Sequence, residues 1–381
     1  MHAVHSATFV TENQIMEIIA EIGTSHGGDI SKAKELIETA VGAGADWVKF
    51  QWVYAEEILH PQTGYVSLPT GRIRLFDRFR ELEVGQKFFR ECLEFTHSLG
   101  AKFMCTPFGM RSLCELMEIK PDAVKIASPE LNHIPLLESL AEFRKSEKIQ
   151  VVMSSGVSKL RDIEKAIEIT GTENATLLHC ITFYPAPEDE YNLSVIPNLS
   201  RIFGIPCGVS DHSLDPVLVP SLAAAVGATM IEKHITLSKE TDGLDDPVAL
   251  TGEQFALMNH CVRQCEAVIR QYGENAGDYI KKQLREEYGG RIEKVLGSGT
   301  KRLAAAESAN YGRTNRSLHF LRDMKSGERV AESDIGVLRT EKELLPGITP
   351  EFLGTVAGAI LTRDVPSGKG VEFEDFMKKG E

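Results

Sequence analysis

Residues 16–23, MEIIAEIG, form a short apolar run that is typical of a buried β-strand. Seven similar runs follow, and the eight predicted strands are Met16–Gly23, Asp46–Trp52, Ala101–Pro107, Ala123–Ser128, Gln150–Ser155, Ala175–Thr182, Pro206–Ser210 and Ala228–Leu237. Predicted helices lie between most of them, for example at Ser31–Ala43, Gly85–Leu99, Ile134–Ser146, Ser158–Thr170, Pro216–Val226 and Thr251–Tyr272. Eight buried strands that alternate with helices predict an α/β fold, a parallel (β/α)8 TIM barrel.

A closed barrel is favoured over a doubly wound open sheet, which is the alternative. The predicted elements span residues 14–272, which matches the usual barrel size of about 250 residues. No GxGxxG motif follows the first strand, although that motif is typical of dinucleotide-binding open sheets. We therefore expect residues 1–275 to form a barrel domain that carries the catalytic site.

The composition argues against several classes of protein. The 381 residues include 42 Lys and Arg against 55 Asp and Glu, so the formal charge is −13 and general nucleic-acid binding is disfavoured. The seven cysteines are odd in number and contain no CxxC pair, which argues against a disulfide framework and structural zinc. The first residues, MHAVHSATFV, lack signal-peptide features, and no apolar run is long enough to span a membrane. We expect a cytoplasmic protein.

The C-terminal part differs from the barrel in its sequence pattern. Residues 276–311 are charged and weakly periodic, which predicts a helical or irregular linker. Residues 312–381 contain a repeat at an offset of 41, in which Arg322-Asp323, Ser326-Gly327, Val330 and Asp334-Ile335 recur as Arg363-Asp364, Ser367-Gly368, Val371 and Asp375-Phe376. We predict two copies of a strand–turn–strand unit with Ser-Gly in the turn. So small a domain is marginal alone, and we expect it to dock on a barrel, its own or a partner's.

Polar and ionisable residues end or follow every predicted strand. The carboxyl ends of barrel strands meet at one rim, where barrel enzymes place their active sites. The candidates at this rim are Glu21, Lys49, Gln51, Thr106, Lys125, Ser128, Glu130, Ser154, Thr182, Tyr184, Ser210, His212, His234 and Asp245. Each alone has a structural explanation, such as a snorkelling lysine or a hydrogen-bonded core histidine. Together they predict an active site.

The two lysines predict an anion site. Lys49 and Lys125 supply positive charge, and the hydroxyls of Thr106, Ser128, Ser154 and Ser210 supply directional donors for a phosphate or carboxylate. The alternative is a Schiff base on either lysine, as in barrel aldolases.

The two histidines predict a metal site. His212 and His234 end neighbouring strands, so with a carboxylate such as Glu21 they could bind a divalent metal that keeps open positions for water and substrate. A structural role for both histidines is the alternative. Glu130, Tyr184 and Asp245 are then left to bind a hydroxylated substrate or to move protons.

Several strings along the barrel resemble motifs of the sialic acid synthase family. They are Ala20–Gly23 with His26–Gly28, Lys49–Gln51, Cys105–Phe108, Lys125–Glu130, His179-Cys180 with Tyr184-Pro185, Gly208–His212 and Glu232–His234. The strings follow the family's order over the whole barrel. The tail, with Asn315-Arg316-Ser317, resembles the family's C-terminal antifreeze-like (SAF, β-clip) domain. The family comprises N-acetylneuraminate, legionaminate and pseudaminate synthases and related spore-coat polysaccharide proteins.

The resemblance implies a reaction and a cofactor. Phosphoenolpyruvate condenses with an N-acylated hexose, such as N-acetylmannosamine or a diacetamido-dideoxy relative, to give a nonulosonic acid and phosphate. The implied cofactor is a divalent metal, Mn2+ in preference to Mg2+ or Co2+, held by His212 and His234. These histidines and Glu21, which would orient or deprotonate water, are the implied catalytic residues.

The resemblance also implies how the substrates are bound. Phosphoenolpyruvate is expected to contact Lys49, Thr106, Lys125, Ser128, Ser154, Thr182 and Ser210, and the sugar is expected to face Gln51, Glu130, Tyr184, Asp245 and Arg339. The family pattern is a domain-swapped homodimer in which the SAF arginine, here Arg339, enters the neighbouring subunit's site. No nucleic-acid or membrane partner is implied.

The chain departs from the family pattern near the acceptor sugar. The family usually has Gly-Pro-Asp-His after the eighth strand, whereas this chain has Gly243-Leu244-Asp245-Asp246, so that a carboxylate replaces the histidine. The sequence therefore leaves open which sugar is used and whether it is phosphorylated. A Schiff-base aldolase that uses Lys125 and a non-catalytic carbohydrate-binding barrel are the other hypotheses.

Overall fold

The structure is a computed structural model that describes residues 16–68, 71–241 and 243–377. Residues 1–15, for which the sequence predicts no signal peptide, lie outside these ranges, as does Asp242. Within the described ranges, no helix is both long enough and apolar enough to cross a bilayer.

Eight parallel strands form a closed barrel, which confirms the predicted fold class. The strands of the described chain are β1 (Glu17–Gly23), β2 (Trp47–Trp52), β3 (Tyr65–Leu68), β4 (Gly71–Arg74), β5 (Lys102–Pro107), β6 (Ala123–Ile126), β7 (Gln150–Ser154), β8 (Ala175–Cys180), β9 (Cys207–Asp211), β10 (Met230–Thr236), β11 (Leu250–Thr251), β12 (Arg316–Phe320) and β13 (Ile335–Arg339). Strand β1 pairs with both β2 and β10, so β1, β2 and β5 to β10 close the barrel. Strands β3 and β4 form a separate hairpin.

Helices surround the barrel. They are α1 (Ile30–Gly42), α2 (Ala55–Ile58), α3 (Leu75–Glu81), α4 (Gln86–Ser98), α5 (Met110–Ile119), α6 (Ile134–Ser146), α7 (Leu160–Thr170), α8 (Val195–Phe203), α9 (Leu218–Ala225), α10 (Gly252–Tyr272), α11 (Ala276–Tyr288), α12 (Arg291–Leu296) and α13 (Leu353–Val356). Helix α1 shows the general rule, because its buried residues Ala33, Leu36, Ile37 and Ala40 follow the helical period and face the strands.

The segment between the barrel and the C-terminal domain is ordered and packs on the barrel. It contains α11 and α12, whose residues Ile280, Ile292 and Val295 belong to the main hydrophobic core. A short 3-10 turn, Ala305–Glu307, follows and is also partly buried. The sequence prediction of a helical or irregular linker thus corresponds to two helices and a turn.

The C-terminal domain has its own core and a pseudo-symmetric repeat. Strands β12 and β13 pair antiparallel, and the predicted turns occur at Ser326-Gly327 and Ser367-Gly368, where both glycines have positive φ. The predicted strand arms are wrong, because the two copies meet through isolated bridges such as Met324 with Val365. The turns are tied between the copies: the amide of Ser326 donates to Asp364 and that of Ser367 to Asp323, so these amides link one copy to the other and do not pair within a copy.

The C-terminal domain docks on the barrel of its own chain. Asn132 exchanges two hydrogen bonds with the backbone of Arg316, at 2.8 and 3.0 Å. Arg339 forms a parallel bridge with Leu59, and Thr63 donates its hydroxyl to the carbonyl of Thr340. These contacts place the end of β13 over the carboxyl rim of the barrel.

Candidate active site

The inside of the barrel changes from apolar to polar within two residues along most strands. An apolar cluster fills the lower interior with Ile19, Trp47, Met104, Ala123, Val152, Leu178 and Met230. Two positions later the same strands carry Glu21, Lys49, Thr106, Lys125, Ser154, Cys180 and Glu232. Because side chains alternate along a strand, both sets point into the barrel, and the second set forms a polar layer at the carboxyl rim.

A cavity of about 410 Å³ opens above this layer. It brings together all but one of the residues selected from the sequence, namely Glu21, Lys49, Gln51, Thr106, Lys125, Ser128, Ser154, Thr182, Tyr184, Ser210, His212, His234, Asp245 and Arg339. The exception is Glu130. A pocket of this size with convergent polar groups is typical of a small-molecule site.

Four buried ionisable groups form the floor of the cavity. The Nζ of Lys49 lies 2.7 Å from Glu21 Oε2 and 3.4 Å from Glu232 Oε2, and the Nζ of Lys125 lies 3.8 Å from the same Glu232 oxygen. Burial alone would raise the pKa of Glu232, but the two lysines and the Ser210 hydroxyl lower it to about 2. Burial lowers the pKa of Lys49, but Glu21 and Glu232 outweigh it and the net shift is upward.

Hydroxyl groups surround this cluster, and two of them are unsatisfied. Lys125 donates to Ser154 Oγ at 2.6 Å, and Ser210 donates to Glu232 at 2.8 Å. The buried hydroxyl oxygens of Thr106 and Thr182 have no hydrogen-bond partner. Buried polar groups are normally paired, so these two hydroxyls are available to a polar ligand in the cavity.

The two histidines lie side by side at the ends of β9 and β10. Their ring centroids are 5.6 Å apart, and the ring of Tyr184 stacks on His212 at 4.2 Å. The Nδ1 of His212 is 2.7 Å from the carbonyl of Ile181. Burial would lower the pKa of His212, but Cys180 and that carbonyl raise it to about 9, whereas burial lowers the pKa of His234 below its usual value.

The histidine pair fits a divalent metal that keeps open positions. The bond from Nδ1 of His212 to a carbonyl fixes the tautomer and leaves Nε2 as the ligating atom, which is the usual arrangement of a metal-bound histidine. The sequence expectation that Glu21 joins them is not supported, because Glu21 is engaged by Lys49 and by Gln51 at 2.8 Å. In the described part of the chain, no three acidic, His or Cys residues are grouped to hold a metal. Water and substrate would complete the coordination.

The position of Glu130 differs from the sequence prediction. It is completely buried and does not line the cavity, so it does not face a ligand as the sequence suggested. Its Oε1 accepts hydrogen bonds from Arg316 at 3.1 Å and from Arg339 at 2.9 and 2.7 Å. Since Arg339 itself lines the cavity, Glu130 acts on the site by orienting that guanidinium.

Among the cavity residues that the sequence analysis did not select, Glu232 and Cys180 stand on barrel strands beside the predicted site residues. Glu232 joins both lysines, and Cys180 lies 3.8 Å from His212 Nδ1. The period of two along the strands could have identified them, because Glu232 is two residues before His234 and Cys180 is two residues before Thr182.

The carboxylate that replaces the family histidine points away from the cavity. Asp246 is fully buried and accepts hydrogen bonds from Ser25, at 2.5 Å, and from Thr241. Its neighbour Asp245 lines the cavity, with an oxygen 3.8 Å from His234 Nδ1. Asp246 therefore fastens the loop that presents Asp245.

Comparisons with known proteins agree with this architecture. The model of the NeuB family matches residues 36–274, and the SAF domain model matches residues 315–377. The chain is 31% identical to spore coat polysaccharide biosynthesis protein SpsE of Bacillus subtilis, over 95% of this chain and 94% of that protein. It is 30% identical to N,N'-diacetyllegionaminic acid synthase of Campylobacter jejuni, over 89% of this chain and 95% of that one.

The fold is similar to that of a solved relative over nearly the whole chain. The crystal structure of SpsE from Bacillus subtilis superimposes with a TM-score of 0.77 at 29% identity and covers 96% of both chains. The likeness extends over the barrel, the linker and the C-terminal domain together. On the family match and this similarity, the chain belongs to the NeuB family.

Proposed function

We propose that this chain condenses phosphoenolpyruvate with an N-acylated hexose to give a nonulosonic acid and phosphate. Named relatives support the reaction class, since they include N,N'-diacetyllegionaminic acid synthase and pseudaminic acid synthase. The observation that carries the proposal is the cavity itself. Two buried lysines and two unsatisfied hydroxyls lie there beside a pair of histidines.

The polar floor would bind phosphoenolpyruvate. Lys49 and Lys125 supply positive charge, and the hydroxyls of Thr106, Ser128, Ser154, Thr182 and Ser210 line the same cavity. In the absence of ligand, Glu21 and Glu232 balance the two ammonium groups. Binding of a multiply charged anion therefore needs further positive charge, which a metal held by His212 and His234 would provide.

His212 and His234 would hold the divalent metal, with Mn2+ as the preferred ion. A divalent ion held there would supply Lewis-acid polarisation of the sugar aldehyde and positive charge in the cavity. Carbon 3 of phosphoenolpyruvate would form a bond to the aldehyde carbon, and the aldehyde oxygen would take up a proton to become a hydroxyl. Water would add to carbon 2 and lose a proton, and cleavage of the bond between carbon 2 and the phosphate oxygen would release phosphate and leave a carbonyl at carbon 2. Glu21, which is held by Gln51 and Lys49, would accept the proton that this water loses.

The sugar would occupy the outer part of the cavity. Gln51, Tyr184, Asp245 and Arg339 line this part. Tyr184 is 46% exposed, whereas Lys49 is 4% exposed, so the outer part is open to solvent before the sugar binds. Glu130 contributes by holding Arg339 in place.

The first experiment is phosphate release from phosphoenolpyruvate with Mn2+, against free and 6-phosphorylated N-acyl hexoses and their 2,4-diacetamido-dideoxy relatives. Release with one sugar, abolished by a chelator, supports the reaction and identifies the acceptor. No release with any sugar would contradict the proposal.

A Schiff-base aldolase is the second candidate, because burial lowers the pKa of Lys125, as an amine nucleophile requires. Borohydride reduction in the presence of a keto acid or keto sugar would trap a covalent adduct on Lys125 if that chemistry occurs. Under the condensation mechanism no adduct forms.

We also propose that the protein is a homodimer in a reducing cytoplasm, where its seven unpaired thiols stay reduced. In this structure Arg339 enters the cavity of its own chain, and a swapped dimer would make the same contact between subunits. Mixing Glu21→Ala and Arg339→Ala chains separates the two arrangements. Glu21→Ala chains alone should be inactive, and Arg339→Ala chains alone should show a raised KM for the sugar. On mixing, a fraction of sites with the wild-type KM for the sugar appears if the domains are swapped, whereas only the raised KM is found if each chain caps itself.

A further inference from the structure

A buried carboxylate of the linker reaches the rim of the barrel. Glu307 lies between the segments that match the NeuB and SAF models and is 1% exposed. Its Oε1 accepts the backbone N–H of Val157 at 2.8 Å and that of Thr182 at 2.6 Å. Its Oε2 accepts the N–H of Ala304 at 3.2 Å, within the linker. One side chain therefore ties the linker to the loops after β7 and β8.

Those two loops carry hydroxyls that line the cavity. Ser154 ends β7, and Thr182 follows β8. Between them lies Gly156, whose N–H donates to Ser128 Oγ at 3.0 Å. A Cβ at Gly156 would collide with Thr182 Oγ1 and would lie 2.9 Å from Ser128 Oγ and 3.1 Å from Glu307 Oε1. Gly156, Thr182, Ser128 and Glu307 are thus packed closely together, and the distances between the hydroxyls depend on this packing.

The loop after β7 is held in an unfavourable backbone conformation. Val157 has a φ of 41°, which a β-branched residue rarely adopts and which persists only when the surroundings impose it. Glu307 accepts the N–H of Val157, and Lys301, also in the linker, donates to the carbonyl of Ser155 at 2.7 Å. The linker thus holds this loop on both sides of Gly156.

We propose that Glu307 is a positioning residue for phosphoenolpyruvate, because it sets the spacing of the Ser128, Ser154 and Thr182 hydroxyls through the backbone of two strand-end loops. This inference rests on the proposed function. Glu307 does not line the cavity, so it acts through these loops and not by contact with substrate. On this view the linker is part of the anion site.

The test compares Glu307→Ala with Glu307→Gln and Glu190→Ala. Gln keeps an oxygen that can accept from Val157 and Thr182, so it should rescue most of the effect. Glu190 lies further along the loop after β8 and accepts the N–H of Ala306 at 2.9 Å, so it also ties that loop to the linker turn. Its described side-chain hydrogen bond reaches neither Val157 nor Thr182. It is the matched control for a tether that is only structural.

We expect Glu307→Ala to raise the KM for phosphoenolpyruvate about 10-fold to 100-fold, as displacement of a binding group does, while the KM for the sugar changes less than about twofold. Titration calorimetry with phosphoenolpyruvate should show the same loss of affinity. Glu307→Gln should lie near wild type, and Glu190→Ala should leave the KM for phosphoenolpyruvate unchanged. If Glu307→Ala does not fold, Glu307→Asp replaces it in the test, because its side chain is one methylene shorter and draws the acceptor oxygen back from the amides of Val157 and Thr182.

Two results would overturn the inference. One is wild-type affinity for phosphoenolpyruvate in folded Glu307→Ala, or in Glu307→Asp where that variant replaces it. The other is an equal rise of both KM values that Glu190→Ala reproduces. A wild-type chain that neither binds phosphoenolpyruvate nor releases phosphate would instead contradict the proposed function, so the two failures are distinguishable.

Discussion

The inner and outer parts of the cavity are built differently. The inner part, Glu21, Lys49, Lys125 and Glu232, stands on barrel strands, is at most 4% exposed and is linked by ion pairs. The outer part, Tyr184, Asp245 and Arg339, comes from loops and from the C-terminal domain and is more open. Under the proposed function, the inner part would carry the chemistry and the outer part would select the sugar, because loops vary more easily than strands.

The largest effect is expected where the two parts meet, at His212. His212→Ala should lower activity by about 10³-fold, the upper range for loss of one electrostatic contact in an active site, and should abolish Mn2+ binding while the chain stays folded. His260→Ala is the control, because His260 is exposed on α10 and contacts only Gln264 among the described hydrogen bonds. Measurable Mn2+ affinity and intact turnover in His212→Ala would contradict the proposed metal role.

The second-largest effect is expected at Lys125, which is compared with a lysine that is buried outside the cavity. Lys125→Met should lower kcat/KM for phosphoenolpyruvate about 10²-fold or more. Lys233 is equally buried but pairs with Asp211 at 2.6 Å and does not line the cavity. Lys233→Met leaves a buried carboxylate without its partner and should cost about 3–5 kcal/mol of unfolding free energy.

Steady-state kinetics and urea unfolding measure both quantities for the two lysine variants. The loss of kcat/KM is converted to a free energy and compared with the loss of unfolding free energy in each variant. If the two losses stand in the same ratio in Lys125→Met and Lys233→Met, then Lys125 is structural, and the inner part does not bind phosphoenolpyruvate through it.

A smaller effect is expected in the outer part. Arg339→Ala should raise the KM for the sugar about tenfold, which corresponds to loss of one charge-assisted hydrogen bond, with the KM for phosphoenolpyruvate nearly unchanged. Arg322→Ala is the control, because Arg322 forms exposed ion pairs with Asp334 and Glu328 in the same domain. Such pairs contribute about 0–1 kcal/mol. A larger rise in the phosphoenolpyruvate KM than in the sugar KM would contradict the assignment of Arg339 to the sugar-binding part of the cavity.

The smallest effect is expected at Asp246, which contacts the outer part only through a loop. Asp246→Asn keeps one acceptor for Ser25 or Thr241 but loses the charge, so the KM for the sugar should rise about threefold, the effect of one weakened hydrogen bond. Kinetics at saturating phosphoenolpyruvate measure it. An altered choice of sugar would show that this residue has a direct part in recognition.

Much of the fold was predictable because its signal is local. The run at 16–23 predicted β1, which spans Glu17–Gly23, and the other seven barrel strands agree with their predicted runs to within a few residues. Buried parallel strands are apolar on both faces and are bounded by helices, so each leaves its own signature. Helices α5 and α8 were not among the helices specified, although both lie between predicted strands.

The inner part of the site was largely predictable for the same reason. Once the barrel is assigned, the end of each strand must lie at the rim, so Glu21, Lys49 and Lys125 are brought together by topology. Glu232 could have been included by the same reasoning, because it shares the inward face of β10 with His234.

The remaining contacts depended on how separate segments dock. Glu130 and Arg316 are 186 positions apart and Glu307 and Thr182 are 125 apart, and no periodicity in the chain relates such residues. The local pattern of hydrophobic and polar residues alone determined the barrel, its rim and the residue types that surround the cavity. Only the tertiary structure decided that Glu130 faces two arginines, that Arg339 enters its own barrel and that the linker binds the loops after β7 and β8. Local pattern fixes which face of an element is buried, whereas the partner of a loop or a charge is fixed only when distant segments pack together.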